Sequence, residues 1–238
     1  MREIPQTFTA ESIEGILAGR KTKTRRVVKP QPVYVDRPTV IRDLPVRCTF
    51  GPGWWARDYA VADTSARTIR EALLDHSPYS VGDLIWVRET WRPRIANCLG
   101  DVIVTYAADG KEIFFDDCAI PNEWEMPKAA ERGNVTPMYM PRWASRYMLR
   151  VTSVSAERLQ DITVPEIEAE GIVVPPCAYD KVIERPDVLD FERECFARAQ
   201  FVTRWDQING RRASWESNPW VWALGIELAA VQADRKVS

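Results

Sequence analysis

The chain of 238 residues has one histidine, His76, and only five cysteines, Cys48, Cys98, Cys118, Cys177 and Cys195, none of them in a CxxC pair. Nitrogen and sulfur donors are too few and too scattered for a zinc set, so no metal and no other cofactor is expected. An odd, dispersed set of cysteines suits a reducing compartment better than a disulfide framework. No run of about 18 apolar residues exists to span a bilayer, and the opening Met1-Arg2-Glu3-Ile4-Pro5 lacks the apolar core of a secretory signal. A cytoplasmic protein without a membrane partner is the expectation. An excess of basic charge is also missing. Lysine and arginine number 32 against 34 aspartates and glutamates, for a net charge of −2. Any contact with nucleic acid is thereby restricted to a local patch.

What is present is an ordinary globular composition, 45% hydrophobic and 28% charged, in a chain long enough to bury a core. Thr9 caps a short helix in which Ile13, Ile16 and Leu17 form one apolar stripe, and Gly19 ends it. Residues 28–80 carry Pro30, Pro32, Pro38, Pro45 and Pro52 and form an expected insertion, with one helical piece around Ser65–Leu74. A turn at Ser80–Asp83 opens a buried strand, Leu84–Val87. Val102–Tyr106 and Glu112–Phe115 flank Asp109-Gly110, a hairpin signal. A further strand covers Tyr147–Val154.

Thr163-Val164-Pro165-Glu166 has the spacing of a capping box, and its short helix should stop at Gly171. A longer helix is predicted from Asp187 towards Asn209-Gly210, with Phe191, Cys195, Ala199, Val202, Trp205 and Ile208 at helical spacing. The last strand is Pro219–Leu228, rich in aromatic and β-branched residues. Short strands, few helices and long loops indicate the α+β class around a small barrel. The expectation is one decorated domain over residues 1–230, with insertions at about 28–80, 116–140 and 174–215 and a polar tail at 231–238.

Chemistry concentrates in two places. Arg20, Lys21, Lys23, Arg25, Arg26 and Lys29 put six positive charges within ten residues. Such a stretch is either a solvated loop or a strip that faces phosphates. Pro141 to Tyr147 interleaves Arg142 and Arg146 with Trp143, which suits base stacking with phosphate contact, against plain packing for a tryptophan.

The stretch Ile16-Leu17-Ala18-Gly19-Arg20-Lys21-Thr22-Lys23-Thr24-Arg25-Arg26 resembles the ASCH-domain signature G-x-K-x-x-E-x-R. Gly19, Lys21 and Arg26 stand at the matching positions and Thr24 at the acidic one. That threonine makes the stretch similar to the small bacterial N4-acetylcytidine amidohydrolases. The likeness continues through Gly82–Val87, Leu159–Thr163 to Glu170, and Trp222–Leu228. Arg88–Trp91, Met140–Arg146 and Asn218–Trp222 resemble the larger phage and prophage ASCH proteins, which implies a host cytoplasm.

The resemblance implies a PUA-like β-barrel that handles nucleic acids or their modified bases. It implies Thr24 as nucleophile with Lys21 and Glu170 beside it, Lys21 acting either as base or as a charged oxyanion donor. Arg20, Lys23, Arg25, Arg26, Arg142, Trp143 and Arg146 are the candidates for binding substrate or nucleic acid. Glu170 falls in the last turn of its helix, where the dipole disfavours a carboxylate, so a cation from Lys21 or Arg26 should face it. Two activities stay open: removal of an acyl group from a modified nucleoside, and non-catalytic binding of RNA or DNA, with RNA the favoured partner. A ribonuclease is a third.

Overall fold

A computed structural model describes residues 1–35, 39–40, 49–50, 53–56, 59–62, 69–174 and 186–231. Cys48, Cys177 and most of the expected tail lie outside them. The chain begins with β1 (Glu3–Thr7), α1 (Ala10–Leu17) and β2 (Lys23–Val27). Five short strands follow: β3 (Val33–Val35), β4 (Thr39–Val40), β5 (Thr49–Phe50), β6 (Gly53–Ala56) and β7 (Tyr59–Ala62). Next come α2 (Ile69–Asp75), β8 (Leu84–Arg88), β9 (Trp91–Ile95), β10 (Val102–Tyr106) and β11 (Glu112–Phe115). After several 3-10 turns, β12 (Tyr147–Arg158), α3 (Val164–Ala169), α4 (Pro186–Asn209) and β13 (Trp220–Val231) complete the order. The class is mixed α+β. Among the described residues no helix is long and apolar enough to cross a membrane.

The chain gathers into two compact units. The first comprises Met1–Thr22, Val81–Thr152 and Ile226–Ser238, the second Lys23–Ser80 and Ser153–Gly225. In the first, β1 runs parallel to β8 from Glu3↔Leu84 to Thr7↔Arg88, and β8 pairs antiparallel with the opening of β12 through Met148↔Trp86. A second sheet has the order β11-β10-β9, with Val102 opposite both Phe115 and Ile95. Its hairpin turns through Gly110 at φ +70°, as Asp109-Gly110 predicts. Trp91, Tyr106, Phe115 and Met140 fill the core beneath that sheet.

Strands β1 and β9 carry Pro5 and Pro93, and both lie at sheet edges. An edge tolerates a residue without an N–H donor. In α1 the Thr9 hydroxyl accepts from the Ser12 N–H at 3.2 Å, and Ile13 and Ile16 turn inward. Leu17 does not: it is 46% exposed. The third inward position is Gly15, where a Cβ would come within 3.2 Å of the Lys21 Cβ.

In the second unit β13 pairs antiparallel with β2, from Val221↔Val27 to Gly225↔Lys23. The segment Trp220–Gly225 is buried on both faces, which accounts for its unbroken apolar run. The segment expected as an unpaired insertion contains strands β3 to β7, in the orders β3-β6-β7 and β4-β5. Helix α3 has its capping contact, the Thr163 N–H donating to Glu166 Oε2 at 3.2 Å, and stops at Gly171 with φ +87°. Helix α4 has the predicted extent, and of the expected stripe it buries Trp205 while most of the rest faces outward. Ala197, Phe201 and Trp205 face Leu159, Ile162 and Ile167, whereas Phe191, Cys195, Ala199 and Ile208 are exposed. Helical spacing alone allowed either stripe. Aromatic packing chooses: Phe201 stacks on Trp205 at 6.1 Å, and the Trp205 indole donates to the Ala213 carbonyl at 2.7 Å.

Candidate active site

Burying a polar group is costly unless it is partnered, so buried polar side chains mark places where structure or function demands them. Lys21, Thr24, Arg25, Asp83, Glu89, Ser145, Arg146 and Glu170 are the buried polar residues among those described. Lys21, Thr24 and Arg25 come from the eleven-residue signature stretch, and Glu170 is the carboxylate expected with them.

Thr24 and Glu170 both belong to the second unit, and Lys21 to the first. Thr24 lies on β2 opposite Leu224 of β13 and is 5% exposed. Glu170 is the C-cap of α3, its N–H donating to the Glu166 carbonyl at 2.9 Å. Arg25, next to Thr24, is a cation that reaches it: Nη1 stands 3.3 Å from Glu170 Oε1. The Arg25 Nε donates to Glu157 Oε1 at 2.7 Å. Its Nη2 lies 2.6 Å from the same oxygen and 3.2 Å from Glu166 Oε2. Those two Nη2 contacts are not aligned as hydrogen bonds, so charge holds them while Nε supplies the directional bond. Lys23 closes the group on Glu166 at 2.8 Å.

Electrostatics separate these carboxyls. Burial pushes Glu157 above the ordinary carboxylate range, with Arg25 opposing and the nearby Glu166 reinforcing the rise. Burial acts on Glu166 in the same sense, but the Lys23 hydrogen bond, the Thr163 N–H and the Arg25 charge outweigh it and hold Glu166 low. Arg26 is half-buried with an enclosed Nε; burial lowers its pKa, and Tyr79 and Glu170 oppose the change by their charge.

Within the basic strip Lys21 and Arg25 are buried, Lys23 and Arg26 are partly buried, and Arg20 and Lys29 are exposed. Lys23 and Arg25 face glutamates in the second unit, and in the first Arg20 pairs with Glu14 at 3.4 Å. Lys21 is 6% exposed, and its N–H donates to the Gly15 carbonyl at 2.9 Å. Lys21 and Arg25 are thus enclosed, whereas a phosphate contact needs accessible cations such as Arg20 and Lys29.

The second sequence constellation divides. Arg142 is exposed and pairs with Glu3 at 2.6 Å, which holds the Glu3 carboxyl below its usual range. Trp143 packs edge-to-face on Trp91, Phe115 and Trp124. Arg142, Trp143, Phe115, Cys118 and Met148 line a concavity of about 480 Å³ in the first unit.

Arg146 is enclosed. Its Nε and Nη2 grip the two oxygens of Glu89 at 2.8 Å each, and its Nη1 meets Asp109 at 2.7 Å. The guanidinium lies 4.1 Å from the Tyr106 ring centre and 4.8 Å from that of Tyr147. Burial raises Glu89 despite Arg146, whereas at Asp109 the Arg146 and Lys111 hydrogen bonds overcome burial and lower the carboxyl. Three of its five guanidinium N–H groups are thus committed to carboxylates.

Comparison with models of known protein families, with curated proteins and with solved structures returns no match. Sequence reasoning did not single out Glu157, Glu89 or Asp109 as partners of buried arginines. Glu157 sits beyond the point where the apolar pattern of β12 fades, on a strand that continues to Arg158. Glu89 follows β8 directly. A carboxylate so close to a buried strand is the available signal, and it does not name the partner.

Proposed function

We propose that the chain is a hydrolase on an ASCH-type, PUA-like barrel, removing an acyl group from the amide of a modified nucleobase or nucleoside. One observation carries the reading: the residues at the signature positions, Lys21 and Thr24, and the expected Glu170 are all buried polar side chains. Buried polar side chains are uncommon and concentrate where structure or chemistry demands them.

In this reading the Thr24 Oγ1 attacks the acyl carbonyl carbon and gives up its proton. The tetrahedral oxyanion collapses, the C–N bond breaks, and the departing nitrogen takes a proton as the free nucleobase leaves. Water then cleaves the threonine ester and releases the acid. Arg26 lies two positions after Thr24 on β2, on the same face by strand alternation. It supplies positive charge for the oxyanion. Glu170, held by Arg25 and close enough to Arg26 for its charge to act there, is the proton carrier. The resemblance adds Lys21 as base, a role decided by substitution.

The test is incubation with N4-acetylcytidine and related acylated nucleosides, followed by mass detection of the free base. Thr24→Val and Lys21→Ala are each expected to lower kcat by at least about 10²-fold while the protein still melts cooperatively. No hydrolysis by the wild type, or a fully active Thr24→Val, would sink the reading. A second reading, a non-catalytic RNA-binding module, rests on the concavity shared by Arg142 and Trp143. It predicts RNA binding that Arg142→Glu weakens, with a shallower salt dependence.

A further inference from the structure

We infer that Arg25 is the positioning residue of this site: anchored by Glu157, it holds the Glu170 carboxylate in place for the acyl hydrolysis proposed above, on which the role rests. The guanidinium is a planar fork, so fixing one edge aims the other. The edge made by Nε and Nη2 is fixed on Glu157 Oε1, at 2.7 and 2.6 Å. That leaves Nη1 directed at Glu170 Oε1, 3.3 Å away.

The backbone beneath is equally constrained. Thr24 and Arg25 are consecutive on β2 and register against Leu224 and Ala223 of the buried segment of β13. The nucleophile's strand and the cation that fixes Glu170 are thus one piece. Glu170 also has a physical need for that cation. It caps the C-terminal end of α3, where the dipole repels a carboxylate, and its side chain is only 10% exposed. A lysine at position 25 would keep the charge. It would present a point rather than a fork, and could not face Glu157, Glu166 and Glu170 in fixed directions.

The test compares wild type, Arg25→Lys and Glu157→Gln in three measurements: kcat and KM for an acylated nucleoside, the melting temperature, and the crystal structure of each variant. Arg25→Lys is expected to fold, to lose about 10²-fold in kcat with KM changed less than about threefold, and to show Glu170 displaced from its wild-type position. Glu157→Gln should lose about tenfold in kcat with the same signature. A lowered melting temperature with kcat intact would make Arg25 merely structural and overturn the proposal, as would a fall in kcat with Glu170 unmoved. If the wild type hydrolyses no acylated nucleoside, the reaction fails independently. The crystal structures then still decide whether Arg25 anchors Glu170, and an unmoved carboxylate in Arg25→Lys overturns that too.

Discussion

Arg146 in the first unit and Arg25 in the second are enclosed to the same degree, their side chains 2% and 1% exposed, yet they are held differently. Arg146 meets Glu89 fork to fork, two nitrogens on two oxygens, between two tyrosine rings. Arg25 spreads over Glu157, Glu166 and Glu170, and two of its contacts exceed 3 Å. Matched pairing of the first kind satisfies a buried charge and locks neighbouring elements. The carboxyls around both arginines differ in proton affinity, with Glu89 raised and Asp109 lowered at one and Glu157 raised and Glu166 lowered at the other. What separates the two is geometry: a matched fork on one carboxylate against a guanidinium shared among three. Enclosure alone does not tell the two arginines apart; the number of partners and their geometry do.

Truncation is the harshest way to break this comparison. Arg146→Ala leaves Glu89 buried without its partner and is expected to cost about 3–5 kcal/mol, read from denaturant unfolding. A loss below about 1 kcal/mol would mean that Glu89 simply protonates or rehydrates, and the reading of Arg146 as a lock between neighbouring elements would fail.

Acidity sharpens the comparison at smaller amplitude. Asp109 and Glu166 have lowered pKa values in the fold. Their stabilisation is present above the unfolded pKa, about 4, and is lost as pH falls through the lower folded value. Asp109→Asn and Glu166→Gln should therefore flatten the fall in melting temperature below about pH 4. Glu89 and Glu157 are raised. Their contribution is fully present below about pH 4.3 and is lost as pH climbs through the higher folded value. Glu89→Gln and Glu157→Gln should flatten the opposite limb. Identical profiles for the two classes of variant would contradict the separation.

The smallest effect belongs to a surface pair. Arg94 and Glu112 face each other across β9 and β11 at 2.8 Å, 55% and 49% exposed. Arg94→Ala should change unfolding free energy by less than about 1 kcal/mol, and 1 M salt should erase most of that.

Much of this frame could be read from the residues. Thr9 and Thr163 announced the starts of α1 and α3, Gly171 the end of α3, and Asp109-Gly110 the β10–β11 turn. These signals are local, and local backbone chemistry decides them. Strands β1 and β9 were hidden because a proline interrupts each, and only a sheet edge makes that acceptable. The buried stripe of α4 was misassigned because two apolar rows fit one helix and tertiary packing selects between them. Thr24, Lys21 and Glu170 were singled out as motif positions and are buried, whereas Glu157 was not singled out. Its meaning comes from Arg25, 132 positions away, and no spacing rule reaches that far.

The pairing of β2 with β13 has a consequence for how the protein comes into being. Val27 finds its hydrogen-bonding partner in Val221, near the other end of the chain. Ribosomes add about 5–20 residues per second, so the basic strand emerges early and waits on the order of ten seconds or more for the strand that completes it. During that interval its cations have neither the β13 backbone nor, until α3 is made, the glutamates of that helix. A nascent chain in this state has an exposed positive segment, and its Thr24 is not yet enclosed. Activity of the proposed kind would therefore begin only once β13 has been made, and truncation before Trp220 should leave none.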